Sequence, residues 1–185
     1  MSKFVKSSIA FRTTVISSLF FTTLKYILPV MFFMVIMRVF FITSFVVNGA
    51  SMDPTLKNGD YLIVNQLPYY FFEPKRGDII IFRDPKNQKT FDVKRIIGLP
   101  GETLSISQNS VFIEDVETHE QTQLSEPYVP AEAFMNKHME IQLSKNEFFV
   151  MGDNRVKSID SRYFGPIQRS RIIGRMQWKV PSILP

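Results

Sequence analysis

Ser51 is the first residue whose surroundings fit a chemical role, that of a nucleophile. It follows a run rich in β-branched and aromatic residues, and Pro54 forces a turn soon after it. The small residues Gly49 and Ala50 would let a second backbone come close to the Ser51 hydroxyl. A serine that only caps or forms a turn fits the same pattern, so the argument for a nucleophile depends on a partner group.

Lys94 is a candidate for that partner because it lies within a predicted strand, 91–97. Side chains alternate between the faces of a strand, so Lys94 shares its face with Ile96 while Arg95 and Ile97 point the other way. A lysine with apolar neighbours loses hydration, which lowers its pKa, and a neutral amine can act as general base toward a hydroxyl. The alternative is a solvated Lys–Arg pair in an ordinary strand.

A third polar segment follows at residues 151–162. Gly152-Asp153-Asn154 is a turn sequence, and Ser158 could exchange hydrogen bonds at short range. Asp160 and Arg162 are two residues apart and would share a face in extended chain. A polar turn with a surface ion pair worth ~0–1 kcal/mol would give the same sequence.

Short apolar runs separated by turn residues predict the elements that carry these side chains. The predicted strands are Tyr61–Val64, Asp78–Phe82, Phe91–Ile97, Glu147–Met151 and Arg171–Val180. Glycine- and proline-containing turns separate them, for example Asn58-Gly59-Asp60 and Leu99-Pro100-Gly101. The pattern is that of a mostly β protein.

Residues 102–147 differ from the rest of this β region. They hold nine acidic residues, two basic residues and both histidines, and their hydrophobic periodicity is weak. We therefore expect an insertion or cap of variable character at about 102–147.

The apolar N-terminal part predicts one membrane-spanning helix. Residues 19–47 are almost entirely apolar, and a spanning helix needs ~20 such residues. A helix over 26–47 would place Arg38 near the bilayer centre, at a cost of ~2.5–3.5 kcal/mol. A helix over 18–37 puts Arg38 at the outer boundary and leaves 39–47 free to form a strand, so we prefer it.

The charges of the N-terminus predict its orientation and argue against nucleic-acid binding. The first 50 residues hold five basic and no acidic residues, whereas residues 51–185 hold 17 of each, so the net charge of +5 lies wholly in the apolar part. Lys3, Lys6, Arg12 and Lys25 place the N-terminus in the cytoplasm. We expect a cytoplasmic N-terminus and membrane anchor over 1–38, and an extracytoplasmic domain over 39–185. A cleaved signal peptide is disfavoured, because residues 48–50 form a poor cleavage site.

The composition excludes several classes of chemistry. There is no Cys, which excludes disulfides, thiolate metal sites and Cys nucleophiles. A Ser–His triad would need His119 or His138, and both lie in the acidic segment away from any recognisable motif.

Together, these segments resemble the type I signal peptidase family, membrane-bound Ser/Lys endopeptidases that remove leader peptides from exported proteins. The resemblance covers about residues 38–165. In chain order it comprises an Arg at the end of the membrane helix, Ser-Met-x-Pro-Thr-Leu, Arg-Gly-Asp, Lys-Arg-x-x-Gly-Leu-Pro-Gly, and Gly-Asp-Asn-Arg followed by Ser-x-Asp-Ser-Arg.

The resemblance implies a role for each matching residue near the reacting atoms. Ser51 would be the nucleophile, and Lys94 would be the general base that later protonates the leaving amine. The Ser158 hydroxyl would orient the Lys94 amine. Many members carry a Ser two residues before the nucleophile that adds a hydroxyl to the oxyanion hole, but this chain has Gly49 there. The hole would then depend mainly on the Ser51 backbone N–H.

The resemblance also implies residues that support these groups. Arg95 would pair with Asp153, and Asp160 with Arg162, and the two pairs would hold the third segment behind the Ser/Lys dyad. Two more residues would shape the substrate groove, Met52 and Pro54.

The resemblance further implies an antiparallel β catalytic domain that cleaves preproteins after small residues at −1 and −3. The reaction would pass through an acyl-enzyme and need no metal or organic cofactor. Its partners would be preproteins and the lipid bilayer, not nucleic acid. Narrow-specificity leader peptidases of organelles or conjugation systems, and a membrane-tethered domain that only binds a partner, remain alternatives. A self-cleaving repressor would carry DNA-binding helices where this chain has a membrane segment.

One aromatic cluster has no place in these motifs. Residues 69–72 read Tyr-Tyr-Phe-Phe within an otherwise polar stretch. Such residues fit either the lipid interface, where Tyr is favoured, or a hydrophobic patch packed under a loop.

Overall fold

The structure is a computed structural model that describes residues 19–36, 38, 42–107, 110–114, 120–130 and 138–182. It divides into two compact units, Met1–Phe41 and Ile42–Pro185.

The described part of the first unit is a helix, α1, over Leu19–Ile36. Its 18 residues have the length and apolar composition needed to cross a membrane. The helix falls within the preferred placement over 18–37, whose two end residues lie outside the described residues. The alternative placement over 26–47 is wrong at its C-terminal end, because Ile42–Val46 is a strand.

The second unit is mostly β, as expected, and its described residues form eleven strands. They are β1 (Ile42–Val46), β2 (Tyr61–Asn65), β3 (Ile79–Arg83), β4 (Phe91–Gly98), β5 (Thr103–Ser107), β6 (Ser110–Glu114), β7 (Gln121–Gln123), β8 (Met139–Gln142), β9 (Glu147–Met151), β10 (Ile167–Gln168) and β11 (Ile172–Val180). Two short helices also occur in this unit, α2 (Pro68–Phe71) and α3 (Ser161–Phe164).

Seven strands form one antiparallel sheet in the order β1-β2-β11-β3-β4-β9-β10. The run Ile79–Phe82 at its centre is buried on both faces, which is why it reads as a continuous apolar segment. Ile79 and Ile81 pack into one core cluster, whereas Ile80 and Phe82 pack into another. All five strands predicted from the sequence are confirmed within one residue at each end. The strand expected over 39–47 is present as β1, and residues 39–41 lie outside the described residues.

The other four strands form a second antiparallel sheet in the order β7-β6-β5-β8, and they come from residues 102–147. The expectation of weak periodicity is wrong for β5 and β6, in which every second residue is buried. Their buried side chains share a core cluster with Ile97, Phe149 and Met151 of the seven-stranded sheet. The segment is therefore a small sheet packed against β4 and β9.

Candidate active site

Ser51 lies in the turn-rich connection between β1 and β2, and two neighbouring side chains anchor that connection to the core. Met52 and Leu56 are fully buried in the core, and the Leu56 N–H donates to the Met52 carbonyl at 2.9 Å. The Gly49 N–H donates to Asn58 Oδ1 at 2.8 Å. Because its flanking residues are anchored, Ser51 has a fixed backbone and a partly exposed side chain.

Lys94 lies in the middle of β4, opposite Ile80 of β3, and its amine reaches the Ser51 hydroxyl. Lys94 Nζ lies 3.1 Å from Ser51 Oγ and 3.0 Å from the Val93 carbonyl oxygen. The residue is only 2% exposed, and it shares its face with the fully buried Ile96, as the strand alternation predicted. The structure therefore brings together the two residues proposed for nucleophile and base from positions 43 residues apart.

Burial sets the protonation of this lysine. Loss of hydration lowers the pKa of Lys94, and the negative charges of Asp92, Asp160 and Asp84 offset that effect only in part. The nearest carboxylate oxygen is Asp92 Oδ1, 3.8 Å from the amine. A lysine with a lowered pKa spends more time as the neutral amine, the form that can accept a proton from a hydroxyl.

The third polar segment closes over the Ser51 backbone. The Asn154 N–H donates to the Ser51 carbonyl oxygen at 3.0 Å, and the Gly152 N–H donates to Asp160 Oδ2 at 3.0 Å. A Cβ on Gly152 would overlap the Ser51 carbonyl oxygen and the Ser158 hydroxyl, so only glycine fits at this position. The segment thus touches Ser51 through its backbone.

Both predicted ion pairs are present and largely buried. Arg95 Nε and Nη2 donate to the two Asp153 carboxylate oxygens at 2.8 and 2.6 Å. Arg162 Nε and Nη2 donate to the two Asp160 oxygens at 2.8 Å each. Burial opposes ionisation of Asp160, but the bonds and charge of Arg162 outweigh it and keep the pKa of Asp160 below its usual value. Bidentate geometry of this kind holds the third segment in place.

The structure also gives the surroundings of three other supporting residues, Ser158, Met52 and Pro54. The Ser158 hydroxyl is buried near the Asp160 carboxylate, whose pKa it helps to lower, and it makes no hydrogen bond to Lys94; the Lys94 amine is bound by Ser51 and the Val93 carbonyl. Met52 is fully buried in the core next to Ser51. Pro54 is exposed, and it is not among the residues that line the two cavities beside Ser51.

Gly49 lines the cleft and has a φ of +102°, a region that residues with a Cβ rarely adopt. A serine at this position would be strained even though no atom would clash with its Cβ. The backbone conformation explains why the chain has glycine here.

Two cavities meet at Ser51 and differ in the residues that line them. One is lined mostly by apolar residues, including Phe45, Ile81 and Val93 of β1, β3 and β4. The other has charged residues on its wall beside Lys94, namely Asp84, Lys86, Asp92 and Lys157, together with Gly49.

The sequence arguments missed three residues that contribute to this site. Asp92 lines both cavities, and its position two residues before Lys94 on the same strand face could have identified it. Arg155, within the third segment, forms a buried ion pair with Glu126. No local pattern pairs residues that are 29 positions apart, so this contact needed the structure. Among the described residues, no group of three or more His, Asp and Glu side chains could hold a metal ion.

Comparison with known proteins places the chain in a family. The model of the family described as signal peptidase, peptidase S26, matches residues 20–180. Signal peptidase I of Bacillus licheniformis is 36% identical over 163 residues, which are 85% of this chain and 87% of that protein. Probable signal peptidase I-2 of a Synechocystis strain is 32% identical over 154 residues, 79% of this chain and 67% of that protein.

A crystal structure of a signal peptidase I from Enterococcus faecalis matches with a TM-score of 0.48 and 31% sequence identity, covering 57% of this chain and 98% of that one. The family model covers most of the chain and the matched relatives exceed 30% identity over most of its length. The chain therefore belongs to the signal peptidase family, peptidase S26.

Proposed function

We propose that Ser51 is the nucleophile and Lys94 the general base of a serine endopeptidase that cleaves signal peptides from preproteins. One observation carries the assignment: Lys94 Nζ lies 3.1 Å from Ser51 Oγ. This distance is within the hydrogen-bond reach that proton transfer from a nucleophile requires. Burial lowers the pKa of Lys94, which favours the neutral amine that the reaction needs.

The reaction follows from this geometry. Ser51 Oγ attacks the carbonyl carbon of the scissile bond while Lys94 Nζ takes the hydroxyl proton. The tetrahedral intermediate collapses, the C–N bond breaks, and Lys94 delivers its proton to the leaving amine. A water molecule then attacks the acyl-enzyme, Lys94 accepts the water proton, and Ser51 recovers a proton as the C–Oγ bond breaks.

The oxyanion of each tetrahedral intermediate would be bound mainly by the Ser51 backbone N–H. The positive φ of Gly49 disfavours a side chain at that position, so no hydroxyl is supplied from there. The bond from the Asn154 N–H to the Ser51 carbonyl oxygen holds the Ser51 peptide in place. Ser158 keeps a supporting role in this proposal: its buried hydroxyl lies near the Asp160 carboxylate and can bind the Lys94 amine if that amine turns.

The substrate would bind as an added extended strand beside Ser51. The cavity walled by Phe45, Ile81 and Val93 would take the small side chains at −1 and −3. The charged cavity on the other side of Ser51 would take the first residues of the mature protein.

The membrane would be both anchor and partner. In this proposal α1 crosses the cytoplasmic membrane once, the basic N-terminus stays in the cytoplasm, and the β domain lies on the outer face. Substrates arrive with an apolar helix in the same bilayer, so an anchored enzyme meets them in two dimensions.

Part of the aromatic cluster is available for contact with lipid. Tyr69 packs against the core and donates to Asp78 Oδ2 at 2.8 Å. Tyr70, Phe71 and Phe72 are 69–73% exposed, so the alternative of a patch packed under a loop does not describe them. We expect Phe71→Ala/Phe72→Ala to weaken the association of a chain lacking α1 with phospholipid vesicles, whereas Trp178→Ala, at a similarly exposed aromatic, leaves it unchanged.

The decisive experiment compares the full chain with Ser51→Ala in detergent–phospholipid micelles. The substrate is a preprotein with Ala at −1 and −3, and products are mapped by mass spectrometry. The wild type should cleave after the −1 Ala, and Ser51→Ala should be slower by at least about 10³-fold. Ser144→Ala removes an exposed hydroxyl between β8 and β9, outside the two cavities beside Ser51, and should cleave normally. Wild-type cleavage by folded Ser51→Ala would refute the assignment.

A further inference from the structure

A segment that plays no part in the proposed reaction contacts the turn at residues 152–155, which is bonded to the Ser51 backbone. Residues 120–130 follow β6, and their Glu126 carboxylate binds the Arg155 guanidinium in a bidentate pair, with N–O distances of 2.8 and 2.5 Å. The Arg155 side chain is fully buried and that of Glu126 is 10% exposed. A buried pair of this geometry is short, directional and hard to replace by water.

Arg155 transmits this contact to the backbone that holds the nucleophile. Its Nε donates to the Gly152 carbonyl oxygen at 3.1 Å, so the side chain folds back on its own turn. Within the same turn, the Asn154 N–H donates to the Ser51 carbonyl oxygen. One chain of contacts therefore runs from Glu126 through Arg155 and the turn to Ser51.

The same segment also contacts β4, the strand that carries Lys94. The Tyr128 hydroxyl donates to Glu126 Oε1 at 2.8 Å, and the Arg95 guanidinium carbon lies 3.9 Å from the centre of the Tyr128 ring. Burial, followed by the neighbouring Glu126 carboxylate, raises the pKa of Tyr128, so its hydroxyl stays a donor. Arg95 directly follows Lys94 and is bound to Asp153. The segment thus contacts both the turn behind Ser51 and the strand that carries Lys94.

We propose that Glu126 is a positioning residue that, through Arg155, sets the distance between the Ser51 hydroxyl and the Lys94 amine. The proposal rests on the assignment of those two groups as nucleophile and base. It also gives the acidic segment a task in catalysis without any contact with substrate.

The physical reason lies in the buried charge of Arg155. Without the Glu126 carboxylate, the buried guanidinium loses its bidentate bonds and the opposite charge beside it, so it draws in water or shifts within its site. Either change releases its bond to the Gly152 carbonyl and loosens the turn that holds Ser51. Misplacement of reacting groups by about 1 Å can cost about 10²-fold in rate.

The test compares Glu126→Gln, Glu126→Asp and the control Glu140→Gln in the full chain in detergent–phospholipid micelles. Glu140 is an exposed acid on β8 of the small sheet. We expect Glu126→Gln to lower kcat by about 10- to 100-fold with KM changed less than about 2-fold, because substrate contacts remain. Glu126→Asp keeps the charge and should recover part of the loss, and Glu140→Gln should match the wild type.

Two further measurements separate positioning from a general loss of structure. Rates are normalised to the folded fraction obtained from circular dichroism, so unfolding alone cannot imitate a fall in kcat. The double variant Glu126→Gln/Arg155→Lys should lose no more than the more affected single variant, because both act through one contact. The proposal is wrong if folded Glu126→Gln keeps the wild-type kcat or, should that variant not fold, if Tyr128→Phe does.

Ser51→Ala and Lys94→Ala are measured in parallel. If either keeps wild-type activity, the assignment of the dyad fails, and the positioning proposal fails with it. If both are inactive while folded Glu126→Gln is normal, only the positioning proposal is refuted.

Discussion

The two sheets of this domain bury different kinds of side chain. The four-stranded sheet buries aliphatic residues from its strands, namely Leu104, Ile106, Val111 and Ile113. The seven-stranded sheet and the segment after β9 also bury charged and polar groups: Lys94, Asp153, Arg155, Ser158, Asp160, Ser161 and Arg162. The candidate base, Lys94, belongs to this second set, and the partly exposed Ser51 lies against it.

The buried amine of Lys94 lies among these other buried charged groups of the larger sheet. Most of the buried charges are paired with geometry that repays their lost hydration, as in Arg95–Asp153 and Arg162–Asp160. Lys94 lacks such a pair, since the nearest carboxylate oxygen among the described residues, Asp92 Oδ1, is 3.8 Å from its amine. We therefore expect changes in the polar set to act on rate, and changes in the small sheet to act on stability.

Lys94→Met should separate an effect on rate from an effect on stability most strongly. Methionine has a similar length and no amine, so the variant keeps the packing but loses the proposed base. We expect a fall of about 10³-fold or more in kcat/KM, with a thermal unfolding midpoint close to that of the wild type. Single-turnover cleavage tests the predicted loss of rate, and a thermal melting curve tests the predicted unfolding midpoint. Cleavage at the wild-type rate would remove Lys94 from the mechanism.

Gly152→Ala should have the next largest effect. The added Cβ would overlap the Ser51 carbonyl oxygen, so the turn must move away from the nucleophile. We expect a fall of about 10²-fold in kcat. Gly174→Ala is the control: its added Cβ would also be crowded, though less severely, with the Asn65 carbonyl oxygen at 2.8 Å, and it lies on β11 outside the two cavities. That variant should lose stability and keep its kcat when corrected for folded protein.

Leu104→Ala should show the opposite pattern to Lys94→Met. Leu104 is fully buried in the cluster that joins the small sheet to β4 and β9. Its truncation should lower the free energy of unfolding by about 2–5 kcal/mol, through lost burial and the cavity left behind. Chemical denaturation measures this loss, and kcat per folded molecule should be unchanged. A large fall in kcat at full folding would mean that the small sheet controls the active site through its core.

The sequence predicted the large sheet better than the small one, for a physical reason. The strands around Ile80 and Phe149 are buried on both faces and appear as unbroken apolar runs. In β5 and β6 only alternate residues are buried, and the many acidic residues nearby obscured that pattern.

The candidate site was predictable to the extent that its residues occur in ordered motifs. Ser51 and Lys94, and the pairs Arg95–Asp153 and Asp160–Arg162, were named from the sequence, and the structure brings each pair together. The contact between Glu126 and Arg155 depends on how the small sheet folds back over the third segment, which no local pattern specifies. The direction of the Ser158 hydroxyl is a rotamer choice, and sequence spacing does not determine it.

The smallest expected effect on rate concerns Asp92, the nearest negative charge to Lys94. Asp92 is partly exposed, and Asp160, Asp84 and the cleft lysines Lys86 and Lys157 share its surroundings. The negative charge of Asp92 raises the pKa of Lys94 and so opposes the effect of burial. Asp92→Asn removes that charge, which lowers the pKa of Lys94 further and increases the share of neutral amine at a given pH.

The rate should rise with pH as Lys94 loses its proton, and Asp92→Asn should move that rise toward lower pH without changing the plateau. The profile of kcat/KM from about pH 6 to about pH 10 measures both. Asp84→Asn is the graded control, since Asp84 acts on Lys94 more weakly than Asp92 does, and it should shift the profile less in the same direction. A shift toward higher pH in Asp92→Asn would mean that this carboxylate favours the neutral amine, opposite to its charge. An unshifted profile would mean that solvent screens the charge of Asp92 completely, leaving burial, Asp160 and Asp84 to set the protonation of Lys94.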